Sequence, residues 1–161
     1  MNSASISFGK SRKNDYTAYQ QRIMKDMKKA AIDNNWIDIY TGDTFSRENM
    51  PTIEHVIPHC MKSSAEIKQR AQKGFQIDGL DNIFPVGSSG NSLRSNESFA
   101  KSIIKEPAIL DRLLNELEKY KKYNSEVING EDWVKRLLST LTEQLQGLTS
   151  DVQTRLLKQV N

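Results

Sequence analysis

Apolar positions fall into three regimes along the chain. Between residues 15 and 34, Tyr16, Tyr19, Ile23, Met27 and the pair Ala30/Ala31 recur at steps of three and four, the spacing of one helix face. Arg22, Lys25, Lys28 and Lys29 cover the remaining face, Asp15 is placed to cap the start, and Asn34-Asn35 ends the run. From about Ser98 the helical period returns. Residues 107–123 carry Ile109, Leu110, Leu113, Leu114, Leu117 and Tyr120 on one side, with Pro107 suited to a first turn. After a break at Asn129-Gly130, a second stripe over 131–146 holds Trp133, Val134, Leu137, Leu138, Leu141 and Leu145. Thr149-Ser150-Asp151 then reads as a cap before a short last helix bearing Val152, Leu156, Leu157 and Val160.

The middle of the chain follows neither period for long. WIDIYTGDTF (36–45) sets β-branched and aromatic residues around a Thr41-Gly42-Asp43 turn. PTIEHVIP (51–58) is a second extended run that begins and ends in proline. Residues 61–76 suit a loop or short helix, and GLDNIFPVGSSGNSLRSN (79–96) is dense enough in Gly, Ser and Asn to predict a shaped loop. Residues 1–13 are Ser-rich and basic, and weak order is expected there. The pattern divides the chain into a basic N-terminal tail and helix (1–36), a central region of irregular chemistry (37–100) and a C-terminal helical region (101–161).

Composition narrows the class. A chain of 161 residues is long enough for one domain with its own core. The formal charge of +3 permits a polyanionic partner without demanding one. Cys60 is the only cysteine, which excludes an intrachain disulfide and a cysteine-based zinc knuckle and fits a reducing compartment. With no apolar N-terminal segment of signal length and no run of membrane-spanning length, a cytoplasmic protein with no membrane association is expected.

The candidate chemistry lies in TIEHVIPHC (52–60), which holds both histidines of the chain. Glu54 offers a hard oxygen ligand, and His55 a neutral imidazole suited to general-base work. Neighbours on a strand point to opposite faces, so both reach one site only where the strand ends, and Pro58 makes an end there plausible. A zinc site on His55 and His59 is a competing reading. Their spacing of four suits a helix, but Pro58 stands between them and no third soft ligand is evident. Downstream, Asn82 and Asn91 are nine residues apart. Either could pin a loop through its amide, and Asn is also a neutral oxygen ligand; the plainer reading of Asn, Ser and Gly is turn formation. Arg94 and Asn96 follow, where they could meet a phosphate.

Taken in order, IYTGDTF, IEHVIPHC and LDNIFPVGSSGNSLRSN resemble the HNH endonuclease family, from Ile37 to Asn96, 60 of 161 residues. Tyr40-Thr41-Gly42 resembles the family's knuckle, often Cys-x-x-Cys-Gly, and EHVIP its Asp-His-Ile-x-Pro signature. Asn82 and Asn91 resemble its central asparagine and its closing His or Asn. The motifs are most similar to those of the HNH domains of RNA-guided CRISPR effectors. The resemblance implies an α+β fold: a ββα-metal core flanked by an N-terminal helix and a C-terminal helical bundle. It implies His55 as general base, Asn82 as the residue orienting the loop that carries it, and Glu54 and Asn91 as ligands of one Mg²⁺, with Mn²⁺ the alternative. Arg94, Asn96 and His59 are the candidate substrate contacts. For His59 a surface position is preferred over contact with phosphate or metal.

Two departures from the family stand out. Glu54 replaces the usual Asp, and Asp38 and Thr41 stand where the knuckle often has Cys. No structural zinc is therefore expected, and Trp36, Ile39, Tyr40 and Phe45 are left to hold the turn by packing. The implied activity is hydrolysis of DNA phosphodiester bonds, within a phage or bacterial defence system. The C-terminal helices could make a homodimer or dock on a larger protein, though core packing is the plainer reading of their leucines. Two alternatives remain open at this point: a non-catalytic helical nucleic-acid-binding or adaptor protein, and an RNase or toxin using the same site.

Overall fold

The computed structural model describes residues 16–88 and 98–160. The expectations for residues 1–13 and for Asn91, Arg94 and Asn96 lie outside that range. Among the described residues, six helices and one two-stranded antiparallel sheet give an α+β architecture.

Helix α1, Ala18–Asp33, starts two residues later than an Asp15 cap would place it. Thr17 is the cap: its hydroxyl accepts the Gln20 N–H while the Gln20 side chain accepts the Thr17 N–H. The buried face is Ile23, Met24, Met27, Ala30 and Ala31, so Met24 replaces Tyr19, which is 54% exposed. On the basic face Lys29 pairs with Asp33 at 2.5 Å and Arg22 reaches Glu126 at 4.0 Å, while the backbone positions of Lys25 and Lys28 face outward.

The first extended run forms no strand. Residues 36–45 make a turn closed by a single bridge between Ile37 and Thr44. Strand β1, Pro51–His55, pairs instead with β2, Ile83–Gly87, in the stretch expected to be a loop. Pro51 faces Gly87 and His55 faces Ile83. All of IFPVG is buried, and Pro85 is tolerated because each strand of a two-stranded sheet has an unpaired edge. Between the strands lie a 3-10 turn, His59–Met61, and α2, Ala65–Gln72, capped by the Ser64 hydroxyl. Ile57, Ile67 and Ile77 close on Phe75 as a small satellite core under this connection.

Four helices follow: α3, Phe99–Lys105; α4, Ala108–Lys121; α5, Gly130–Gln144; and α6, Ser150–Val160. Every apolar position predicted on the two central stripes is buried. In α6 only part of the stripe holds, since Leu156 is buried and Leu157 is exposed. The Asn129-Gly130 break is the start of α5: Asn129 caps it, and a Cβ at residue 130 would collide with the backbone oxygens of Tyr120 and Tyr123.

One continuous core runs from Ile23 of α1 through Phe84 and Val86 of β2 to Leu141 of α5 and Leu156 of α6. Trp36, Tyr120 and Trp133 stack at its centre, with the Tyr120 and Trp133 rings 4.5 Å apart and nearly parallel. The Trp133 indole N–H donates to the Ile83 carbonyl at 3.0 Å, which ties α5 to the first residue of β2. Helix α4 grips the 36–45 turn. Glu116 accepts the Ile37 N–H at 2.6 Å, and Arg112 donates to the carbonyls of Ile39 and Tyr40 at 2.9 and 3.2 Å.

Candidate functional site

Strand β1 ends at His55, as expected, but its end does not turn Glu54 and His55 to a shared partner: they face different segments. Glu54 is turned to the 36–45 turn, where the Tyr40 hydroxyl donates to its carboxylate. Its other oxygen lies 3.2 Å from the His55 N–H. His55 is turned to the β1–β2 connection, its Nε2 2.9 Å from Asp78 Oδ1. Both side chains are buried. Burial of a carboxylate and an imidazole without compensation is costly, so each has a fixed partner and one orientation.

Asp78 gathers a second histidine. His59 Nδ1 is 2.7 Å from the same Oδ1, and the His55 and His59 rings meet edge-on at 5.5 Å. Tyr16 packs edge-on against His59 at 5.7 Å, and the Lys62 ammonium stands 3.3 Å from Asp78 Oδ2. The carboxylate itself is 1% exposed. Burial alone pushes the Asp78 carboxyl up, but the hydrogen bonds and positive charge of His55 and His59 outweigh it and hold the acid well below the usual carboxylate range.

Asn82 locks this arrangement from behind. It is fully buried, its Oδ1 accepting the Ile57 N–H at 2.8 Å and its Nδ2 donating to the carbonyls of Ile57 and Ile77 at 2.9 Å each. The Asn82 carbonyl also accepts the Val56 N–H at 2.9 Å. Ile57 lies two residues beyond His55 and Ile77 immediately precedes Asp78. One amide therefore sets the path of both segments that meet at the histidine–aspartate contact.

The surface position preferred for His59 is not what the fold gives. Its side chain is 11% exposed and bonded to Asp78. The objection that His55 and His59 need a helix to meet also falls, because a strand end followed by a 3-10 turn after Pro58 brings them together. The missing third donor is Asp78, and His55, His59 and Asp78 present three ligand atoms within 4.8 Å of one another, a group that could hold a metal ion. Asp78 was not legible as a site residue. Its only signal was an acid between Ile77 and Gly79, and contact with His55 spans 23 residues of chain.

The 36–45 turn is held by more than packing. Trp36, Ile39 and Phe45 are buried as expected, but so is Asp38. Its carboxylate accepts the Tyr40 N–H at 3.0 Å, the Thr41 hydroxyl at 3.3 Å and the Asn49 amide at 2.7 Å. A cleft of about 720 Å³ between α2 and α5 lies away from the histidines, and its Arg70 and Arg136 are paired with Glu143, Asp132 and Asp81. No protein-family model matches the chain, and neither does any curated protein or solved structure.

Proposed function

We propose that the chain is a Mg²⁺-dependent endonuclease of the HNH type that hydrolyses DNA phosphodiester bonds with His55 as general base. The observation that carries this reading is the Asn82 amide, which binds both backbone groups of Ile57 just beyond His55. That is the work the resemblance implies for it. The antiparallel pair β1–β2 adds support for a ββα-type core, since His55 ends one strand and Asn82 leads directly into the other. The roles of Asn91, Arg94 and Asn96 rest on the resemblance alone.

In this scheme the Nε2 proton is donated to Asp78, and Nδ1 is the nitrogen that must accept the proton of the attacking water. As the water oxygen bonds to phosphorus, its proton passes to Nδ1. The bond from phosphorus to the 3′ oxygen breaks, and that oxygen takes a proton from solvent. Asp78 is a positioning residue in this scheme: it fixes the tautomer and offsets the charge of the imidazolium that forms. Glu54, steadied by Tyr40, has the hard oxygens that Mg²⁺ prefers, and with Asn91 it would hold the ion. Bound there, Mg²⁺ supplies electrophilic stabilisation of the phosphate and the leaving oxygen. Lys25 and Lys28 of α1 offer backbone phosphate contacts that weaken with salt.

The deciding experiment is conversion of supercoiled plasmid in Mg²⁺ or EDTA by wild type beside His55→Ala. Metal-dependent nicking by wild type, reduced on the order of 10²-fold or more in His55→Ala, is the expected result. Equal activity in the two proteins removes His55 from the mechanism. Inert DNA with cleaved RNA in the same buffers would move the activity to the other polymer.

A further inference from the structure

We propose that His55, His59 and Asp78 form a binding site for a late first-row divalent ion of the zinc and cobalt class, separate from the Mg²⁺ ligands, and that filling it takes His55 out of the cleavage reaction. The first half stands on the geometry; the second rests on the nuclease reading above.

The donor set is two imidazole nitrogens and one carboxylate oxygen, with one ligand atom each from His55, His59 and Asp78 within 4.8 Å of one another; His55 Nε2 and His59 Nδ1 both meet Asp78 Oδ1. Nitrogen-rich sets of this kind favour zinc, cobalt, nickel and copper, whereas Mg²⁺ prefers oxygen and keeps its water. Tetrahedral ligands at bond lengths of about 2.0–2.1 Å lie roughly 3.3 Å apart. The present nitrogen–oxygen distances of 2.9 and 2.7 Å are those of hydrogen bonds. Exchanging the shared protons for an ion needs each pair to open by about half an ångström. His59 lies in a 3-10 turn and Asp78 outside any helix or strand, so the opening breaks no strand pairing and no α-helical hydrogen bond at either donor. Groups that would orient these donors are already in place. Tyr16 packs on His59, Lys62 stands on the outer oxygen of Asp78, and Asn82 holds the carbonyl of the preceding Ile77. Three protein donors leave a fourth position for water.

The consequence for His55 follows from its tautomers. An ion on Nε2 leaves a neutral ring whose proton must sit on Nδ1, so the ring has no lone pair left to accept a proton from water. Asp78 loses its positioning role at the same moment, because the ion takes its Oδ1.

Co²⁺ is the probe, titrated into metal-free full-length protein in a Cys60→Ser background, since the exposed Cys60 thiol stands next to His59 and could bind the ion itself. One equivalent of Co²⁺ should give the visible absorption of a four-coordinate ion, displaced by Zn²⁺ and indifferent to millimolar Mg²⁺. Affinity should fall by more than about tenfold in His59→Gln and in Asp78→Asn, with far-ultraviolet circular dichroism showing both variants folded. His59→Gln alone decides the matter if Asp78→Asn does not fold. No visible spectrum, or binding that persists in His59→Gln, overturns the site whether or not the protein cuts DNA. In the plasmid assay, Zn²⁺ at stoichiometric excess should suppress nicking by wild type and leave whatever activity His59→Gln retains unchanged. Equal suppression of both would overturn the link to His55 while leaving the Co²⁺ result standing.

Discussion

Three buried polar side chains, Asp38, Asp78 and Asn82, each organise a segment that apolar packing alone would leave loose. Asn82 has the most to lose, because its three hydrogen bonds go to backbone groups that are themselves out of water. Asn82→Ala strands the Ile57 N–H and two carbonyls, and a loss of about 4 kcal/mol in urea unfolding is expected at roughly 1–3 kcal/mol per buried unpaired group. A cost under about 1 kcal/mol would mean that water replaces the amide. Asp78 acts on the pH axis. Its carboxyl is depressed in the folded protein, so the ionised form favours folding. That contribution is complete above the ordinary Asp value of about 3.9 and is lost as pH falls below it toward the folded value. Urea midpoints measured from about pH 6 to pH 3 should therefore fall more steeply for wild type than for Asp78→Asn. Parallel slopes would show that the carboxylate gains nothing from the two histidines.

At the scale of elements, the long helices were legible and the sheet was not, for one physical reason. A helix of 14 or 15 residues repeats its 3.6-residue period several times within its own length, so the stripes of α4 and α5 could be read correctly to the last leucine. Strand β2 has five residues, one a proline, and its partner Pro51 lies across the sheet from Gly87, far away in sequence. Burial by helices from both ends of the chain makes it a strand, and no local pattern carries that. The candidate site divides the same way. Motif spacing singles out Glu54, His55 and Asn82 as candidates, whereas Asp78 joins His55 and His59 only through folding. His59 was misread because exposure is a tertiary property. Gly87 offers a test at this scale. It has no room for a Cβ, which would collide with the Asn49 amide and the Asp38 carboxylate. Gly87→Ala should cost about 2 kcal/mol in thermal or urea unfolding, and a neutral effect would show that the strand end can shift away from the 36–45 turn.

Across the whole molecule, the three stretches suggested by sequence share a single interior. Helix α1 contributes Met27, the sheet Phe84, and α5 Trp133, whose indole also holds the Ile83 carbonyl. Among the described residues no helix is long and apolar enough to cross a membrane. The leucine stripes of α4 and α5 are committed to this interior, so a docking partner would have to use other residues of those helices.

That shared interior bears on whether the proposed cleavage chemistry is portable. A fragment cut to residues 37–100 would retain Glu54, His55, Asp78 and Asn82 but would shed Trp133, Tyr120 and Met27 from around them. Its strands would lose the wall they lean on, and a pair of strands alone is marginal in water. The central segment is thus no self-standing cassette: a graft of the candidate site would need to carry the flanking helices as well, and the excised piece should show no cooperative melting transition.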